Sequence, residues 1–164
     1  MVRLLTITEL KTDGFVNNNL EDEYLYSALD EAQDIFLREI IGDSLYESIQ
    51  NMVNSEDVQG DYQTLLDSYI KIYLKYKVLS LLCVPLTFKL RNAGVVSQYS
   101  PEINTTSLED TKYMQNYYEG KADFYANRLT KYLECGNFQE YRCTCNDITS
   151  PNSTHPICTI YLGK

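Results

Sequence analysis

Asp30 and Asp34 lie one helical turn apart, with Glu31 beside them. Paired carboxylates at this spacing share a helix face and can serve as general acid and base or hold a divalent cation. A solvated helix face has the same pattern, and that is the reading adopted for them. A second group lies in the tail, where Cys135, Cys143, Cys145 and Cys158 accompany the single histidine, His155. Thiolates and imidazole suit zinc, but there is no CxxC pair, and CxC is not the usual knuckle spacing. Free thiols are the adopted reading; a disulfide between strands and a metal site stay open, and five cysteines leave at least one thiol free in any disulfide scheme. Lys89 and Arg91 precede a glycine-containing loop without a GxxxxGK[ST] phosphate cradle, so a solvated helix terminus explains them better than an anion site. One histidine excludes HExxH zinc chemistry and leaves little room for a Ser-His-Asp relay. No catalytic residue, metal or cofactor is expected, and the chain is read as not an enzyme.

Composition narrows the function further. The 164 residues carry a net charge of −9 at 44% hydrophobic content, which fits one folded globular domain. Proteins that grip nucleic acid or anionic lipid cluster Lys and Arg, so this balance argues against both. Met1 to Leu10 has one basic residue and an interrupted apolar run, and is not expected to be a signal peptide. Fifteen tyrosines suit wet, extensive contacts, because each offers an apolar body with a polar tip.

The elements that would position these residues are helices. Asp61 to Asn92 is the organising stretch: Tyr62, Leu65, Leu66, Tyr69, Tyr73 and Tyr76 recur at helical spacing, with Asp61 as N-cap. Val78 to Phe88 is apolar nearly all round, which requires burial on every side. Pro85 within it predicts a kink or break near Leu81 to Val84. Leu79, Leu82 and Phe88 are the predicted heart of the core. Cys83 is expected to be a small buried hydrophobe. A first long helix is predicted from about Leu20 to Ile41 with the stripe Leu25, Leu29, Ala32, Phe36 and Ile40. Gly42 ends it, Asp43 caps a short helix from Ser44 to Val53, and Asn54 to Gly60 is a loop. Ala93 to Ser107 reads as a long loop. Ser107 and Asp110 resemble a capping box for a last helix from Leu108 to about Glu134, with the apolar stripe Met114, Tyr118, Ala122, Tyr125, Leu129 and Tyr132, Gly120 in its middle and Gly136 as its stop. Phe138 to Cys145 and Ile157 to Leu162 alternate with period two and predict a β-hairpin. The expected fold is therefore mainly α: a bundle of about four helices around a long central one, with a small C-terminal β-hairpin. Residues 1–134 form a helical domain and 135–164 a cysteine-bearing tail. The loop and the tail lack patterned apolar residues to anchor themselves, so partner chains should order them, with Tyr99, Ile103, Ile157 and Tyr161 as anchors.

The order of segments resembles a known family. LLTITELKTDGF, then ALDEAQDIFLREIIGDSLYESI, then YQTLLDSYIKIYLKYKVLSLLCVPLTFKLRNAGVV is similar to the head–tail connector (ring or adaptor) proteins of tailed bacteriophages, the crAss-like and related Bacteroidales phage type. Ala32 and Gln33, the G-x-x-LY run from Gly42 to Tyr46, and the Tyr-rich helix leading into Leu90 to Gly94 carry the likeness, which spans about Leu4 to Leu133. The resemblance implies a structural virion protein, at the portal–tail region of the particle and in the host cytoplasm during assembly. It implies a homo-oligomeric ring of about twelve copies, built on heterologous contacts. Portal protein and other ring or tail proteins are the implied partners, DNA passes without sequence-specific binding, and no membrane is involved. An acidic wall suits such a channel, because it repels phosphate. The alternative is a monomeric helical protein-binding module.

Overall fold

The structure is a computed structural model that describes residues 2–12, 16–91, 94–97 and 107–144. It is mainly helical. The elements are α1 (Ile7–Thr12), α2 (Asp22–Glu31), a π-helical segment π1 (Ala32–Leu37), α3 (Arg38–Ile41), α4 (Asp43–Asn54), α5 (Gly60–Leu65), a second π segment π2 (Leu66–Ile70), α6 (Lys71–Thr87), strands β1 (Phe88–Arg91) and β2 (Gly94–Ser97), α7 (Leu108–Cys135) and α8 (Gln139–Thr144). Residues 22–41 and 60–87 thus form two long continuous helices, each interrupted by one π turn. α6 is the centre: α2 and π1 pack on it, and α7 packs along it.

The π turns change which residues face inward. A regular helix would carry the stripe of α2 from Ala32 to Phe36 and Ile40. The wider i→i+5 turn inserts one residue and rotates the rest of the helix. Leu37 and Ile41 are therefore fully buried, and Phe36 and Ile40 only partly so.

Chain punctuation obeys the local chemistry. Gly42 takes a positive φ of 79° between α3 and α4, where a side chain would be strained. Ser107 accepts from the Asp110 N–H, and the Asp110 carboxylate accepts from the Ser107 N–H, a complete capping box. Asp61 does not cap its helix, because the helix starts at Gly60 and Asp61 falls in the first turn. α7 stops at Gly136, where a Cβ would collide with the ring of Phe138 as it folds back.

Several expectations need correction. Pro85 does not break α6, which continues to Thr87. Proline removes one donor, but the Thr87 hydroxyl donates to the Cys83 carbonyl at 2.8 Å in that turn. Leu79 and Leu82 are buried, whereas Phe88 is half-buried, because the chain leaves the helix there and enters an antiparallel hairpin pairing Phe88 with Ser97 and Arg91 with Gly94. The β-element therefore sits between α6 and α7, with β1 in place of the end of the expected central helix and β2 at the start of the expected loop. The predicted C-terminal strand from Phe138 is a helix instead, over Gln139–Thr144. Phe138 and Tyr141, three residues apart, are both buried, which is helical and not alternating spacing. The second predicted strand, Ile157 to Leu162, lies outside the described residues.

The core predicts its own energetics. Leu79→Ala and Leu82→Ala should each cost about 2–5 kcal/mol in urea melts, as for other buried Leu truncations. Leu86→Ala, on the exposed last turn of α6, should stay within about 0.5 kcal/mol of the parent. Equal costs at Leu82 and Leu86 would show that the end of α6 is covered.

Candidate functional site

The carboxylates singled out in sequence do not converge. Asp30 takes a bidentate pair from Arg3 at 2.8 and 2.9 Å, and Arg3 also lies over the Tyr26 ring at 4.2 Å. Asp34 pairs instead with Arg38 at 3.3 Å, which also holds Asp43 and, at 3.7 Å, Glu47. These are exposed pairs on a helix face, where water screens the attraction and little stability is gained. Among the described residues no group of three His, Cys, Asp or Glu side chains could hold a metal ion. Cys135 is an exposed free thiol, and Cys83 is a half-buried one whose pKa burial raises. Cys143 falls in α8, not on a strand; Cys145, Cys158 and His155 lie outside the described residues, as do the four proposed anchors Tyr99, Ile103, Ile157 and Tyr161. Lys89 and Arg91 fall on β1 and not at a helix end, and their side chains are outside the description too. An open groove of about 590 Å³ runs beside Lys11, Asp22 and Tyr26. Its lysine has no spare donor: it binds the carbonyls of Asn18 and Leu20 at 3.2 and 3.1 Å and the carboxylate of Asp22 at 2.6 Å.

What the structure does bring together is a seam of rings and cations. Tyr62, Tyr69 and Tyr76 recur every seven residues, and so do Tyr118, Tyr125 and Tyr132. α6 and α7 run antiparallel, so these two series meet. Tyr69 stacks on Tyr132 at 4.2 Å, with π2 supplying Tyr69, and Tyr76 stacks on Tyr125 at 5.2 Å. Tyr62 meets Phe138 edge-on at 5.3 Å. Arg128 lies 5.7 Å from the Tyr69 and Tyr125 rings, and Lys121 lies over Tyr76 and Tyr117 at 5.3 and 4.4 Å. The cations thus alternate with the ring pairs along the seam. Each ring pair adds about 0.5–1.5 kcal/mol beyond its buried area.

Two polar devices lock the helices to one another. Lys77, almost wholly buried, lies 3.7 Å from the Phe36 ring centre and pairs with Glu119 of α7, which also accepts from Ser80. Burial raises the Glu119 pKa, but the bonds from Lys77 and Ser80 and the lysine charge together bring it below the ordinary value. Gln33, fully buried in π1, accepts from the Leu4 N–H at 2.7 Å and donates to the Val2 carbonyl at 3.2 Å. Gln50 donates to the same carbonyl at 3.3 Å and to the Tyr46 hydroxyl at 3.0 Å. At the other end Glu140 of α8 accepts from Tyr62 at 2.8 Å; burial first, then this bond and charge, push the Tyr62 phenol up to about 12.

The residues that remain without cover lie mostly on α7. Leu108, Tyr113, Met114, Tyr117 and Phe124 are exposed there, and Val84 and Leu86 are exposed on the last turn of α6. Sequence periodicity does not show this surface. It places Met114 on the inner stripe, but Thr111, not Met114, occupies the buried line. No helix among the described residues is long and apolar enough to cross a membrane.

A family model matches residues 37–150, from the end of π1 through the seam and beyond α8, and its description is a family of unknown function, DUF6712. The chain belongs to this family. No curated protein and no solved structure matches it. The DUF6712 match includes both helices of the seam and the exposed face of α7, and leaves out α1 and α2.

The Lys77–Glu119 pair makes a measurable prediction. Glu119→Gln should cost about 1–3 kcal/mol, since it leaves a buried ammonium without its counter-charge. Because the folded pKa of Glu119 is depressed, its contribution is present above the ordinary glutamate range and is lost as pH falls through the lowered folded value. Urea melts of parent and Glu119→Gln should therefore differ at neutral pH and converge in acid. A difference that persisted unchanged in acid would assign the loss to packing.

Proposed function

We propose that the chain is a structural virion protein, a head–tail connector subunit. In this reading it forms a ring of about twelve copies beneath the portal, extends the DNA channel and joins capsid to tail. One observation carries the reading beyond the resemblance. The end of the α6–α7 pair, marked by the contact between the Thr87 and Thr111 hydroxyls at 3.5 Å, carries exposed apolar side chains that no other described residue covers. Val84 is 43% and Leu108 56% exposed there, beside Leu86 and Met114. A contiguous apolar end of this kind marks a protein contact, not a solvent face. Portal or neighbouring ring protein is the partner this reading assigns to it.

No chemistry competes for the assignment on the described surface, where the charged groups are paired with each other or spread on helix faces. The acidic balance supports passage of DNA through a channel over its retention. The rival reading, a monomeric helical binding module, would use the same apolar end for a partner outside any particle.

The test is mass spectrometry and electron microscopy of purified tailed particles from the genome that encodes the chain. The chain should be present at ring stoichiometry in the portal–tail region. Val84→Glu combined with Leu86→Glu should leave a folded protein that no longer enters particles. Absence of the chain from intact virions would overturn the proposal and favour the binding module.

A further inference from the structure

The outer face of α7 is a separate surface from the apolar end, and it runs along the helix opposite the buried line. Tyr113, Tyr117, Gly120 and Phe124 succeed one another at four, three and four residues, so they share one stripe. Tyr113 is 71% and Phe124 59% exposed. Gly120 sits between them, and a Cβ built on it would meet nothing within 4 Å. A glycine inside a long helix costs about 1 kcal/mol against alanine, and no described residue fills the space it leaves. That space is a bare backbone patch bordered by Tyr117 and Phe124.

Charge is divided across this helix. Lys121 and Arg128 flank the stripe on one side; both lie over tyrosine rings, and neither has a carboxylate partner among the described residues. Asp123 is on the other flank. The acidic side continues onto another element. α3, which carries Glu39, packs against α7. Between residues 22 and 54 the chain has eight acids and one basic residue, Arg38, which is already held by Asp34, Asp43 and Glu47. Glu31 and Glu39 are exposed and make no ion pair among the described residues, and Ile35 between them is 54% exposed.

We infer that the outer face of α7 docks a second copy of this chain through that copy's acidic α2–α3 face. Ile35 of one copy meets the stripe at Phe124 of the next, beside the bare backbone of Gly120, and Glu31 and Glu39 meet Lys121 and Arg128. The spacing fits, since the two acids are about 12 Å apart along their helix and the two bases about 10 Å apart along theirs, with Ile35 and Phe124 near the two midpoints. The two faces differ, so the contact is heterologous and repeats head to tail. This inference rests on the ring reading for its purpose, but the contact itself can be tested without a particle.

The test uses two charge-reversed forms of the full chain, studied by sedimentation equilibrium at low salt and sub-millimolar concentration. One carries Lys121→Glu and Arg128→Glu, the other Glu31→Lys and Glu39→Lys. Glu31, Glu39 and Arg128 are exposed and Lys121 is half-buried against Tyr76 and Tyr117, so circular dichroism of each variant checks its fold. The parent should form species larger than a dimer. Each double variant alone should remain monomeric, because its two docking faces then carry the same charge. An equimolar mixture should assemble again beyond a dimer, because each reversed face meets the oppositely reversed face of the other variant and each native face meets its native complement. Phe124→Ala in the parent should weaken association about tenfold or more. A parent that stays monomeric, a mixture that stays monomeric, or a single variant that assembles like the parent would each overturn the assignment. The two readings fail separately: chain present in virions with no assembly of the mixture sinks only these faces, whereas a mixture that assembles with no chain in virions sinks only the connector role.

Discussion

The fold depends on a repeat of seven shared by two antiparallel helices. Tyr69 meets Tyr132 and Tyr76 meets Tyr125, so an advance of seven on α6 is matched by a retreat of seven on α7. A seven-residue spacing keeps one face of a helix turned toward its partner, with only a small drift per repeat. Large flat rings are an unusual choice for such a seam. They fill it with apolar area, yet their hydroxyls keep an edge in water, so the seam can lie half-exposed along the molecule. The cations between the rungs then have a defined place, and Lys121 and Arg128 are held over rings without a carboxylate among the described residues.

Because the seam lies to one side of α6, the remaining circumference of that helix is left for α2 and π1, and that is where its aliphatic residues are buried. Leu74 and Val78 are fully enclosed, while Tyr76 is only half so. The one charge taken into this interior, Lys77, is answered from both sides, by Phe36 of π1 and Glu119 of α7. A buried ammonium with a single partner on each neighbouring helix fixes how the three helices are rotated against one another, since a slide of either helix would strand it.

Much of this was legible in the chain. The two long helices, the capping box at Ser107 and the stop at Gly136 arise from local chemistry that tertiary contacts do not override. The hairpin at Phe88 was hidden by its composition. FKLR continues an apolar helix without a breaker, and the turn lies in a stretch whose Gly94 also suits a loop. The strand expected at Phe138 failed for the opposite reason. Eight residues of alternating pattern cannot be told from a short helix by periodicity alone, and docking of Phe138 onto Tyr62 and Tyr132 decided it. The stripe on α7 was visible as spacing, but not as exposure. Tyr113, Tyr117 and Phe124 are as apolar as Tyr118 and Tyr125, and only the packing reveals which set faces the partner helix.

The π turns are where sequence periodicity and structure part most instructively. In α2 the extra residue of π1 moves Leu37 and Ile41 onto the core line and releases Phe36 toward Lys77. The same turn faces Gln33 inward, where its amide replaces the strand partner that the extended chain at Val2 to Leu4 would otherwise lack. A regular helix could bury its aliphatic stripe just as well, but Phe36 and Ile40 would then occupy the core line, and Lys77 would lose its aromatic cover. The inserted residue thus gives one helix two registers. The first, through Ala32 and Gln33, receives the N-terminal segment, and the second, from Phe36 to Ile41, receives α6 and α7. That division explains why Ala32 and Gln33 read as a recognisable pair in a sequence with no catalytic motif. Gln33 is the point at which the register changes, and a side chain that both donates and accepts is needed to bind an N–H and a carbonyl of the same extended strand.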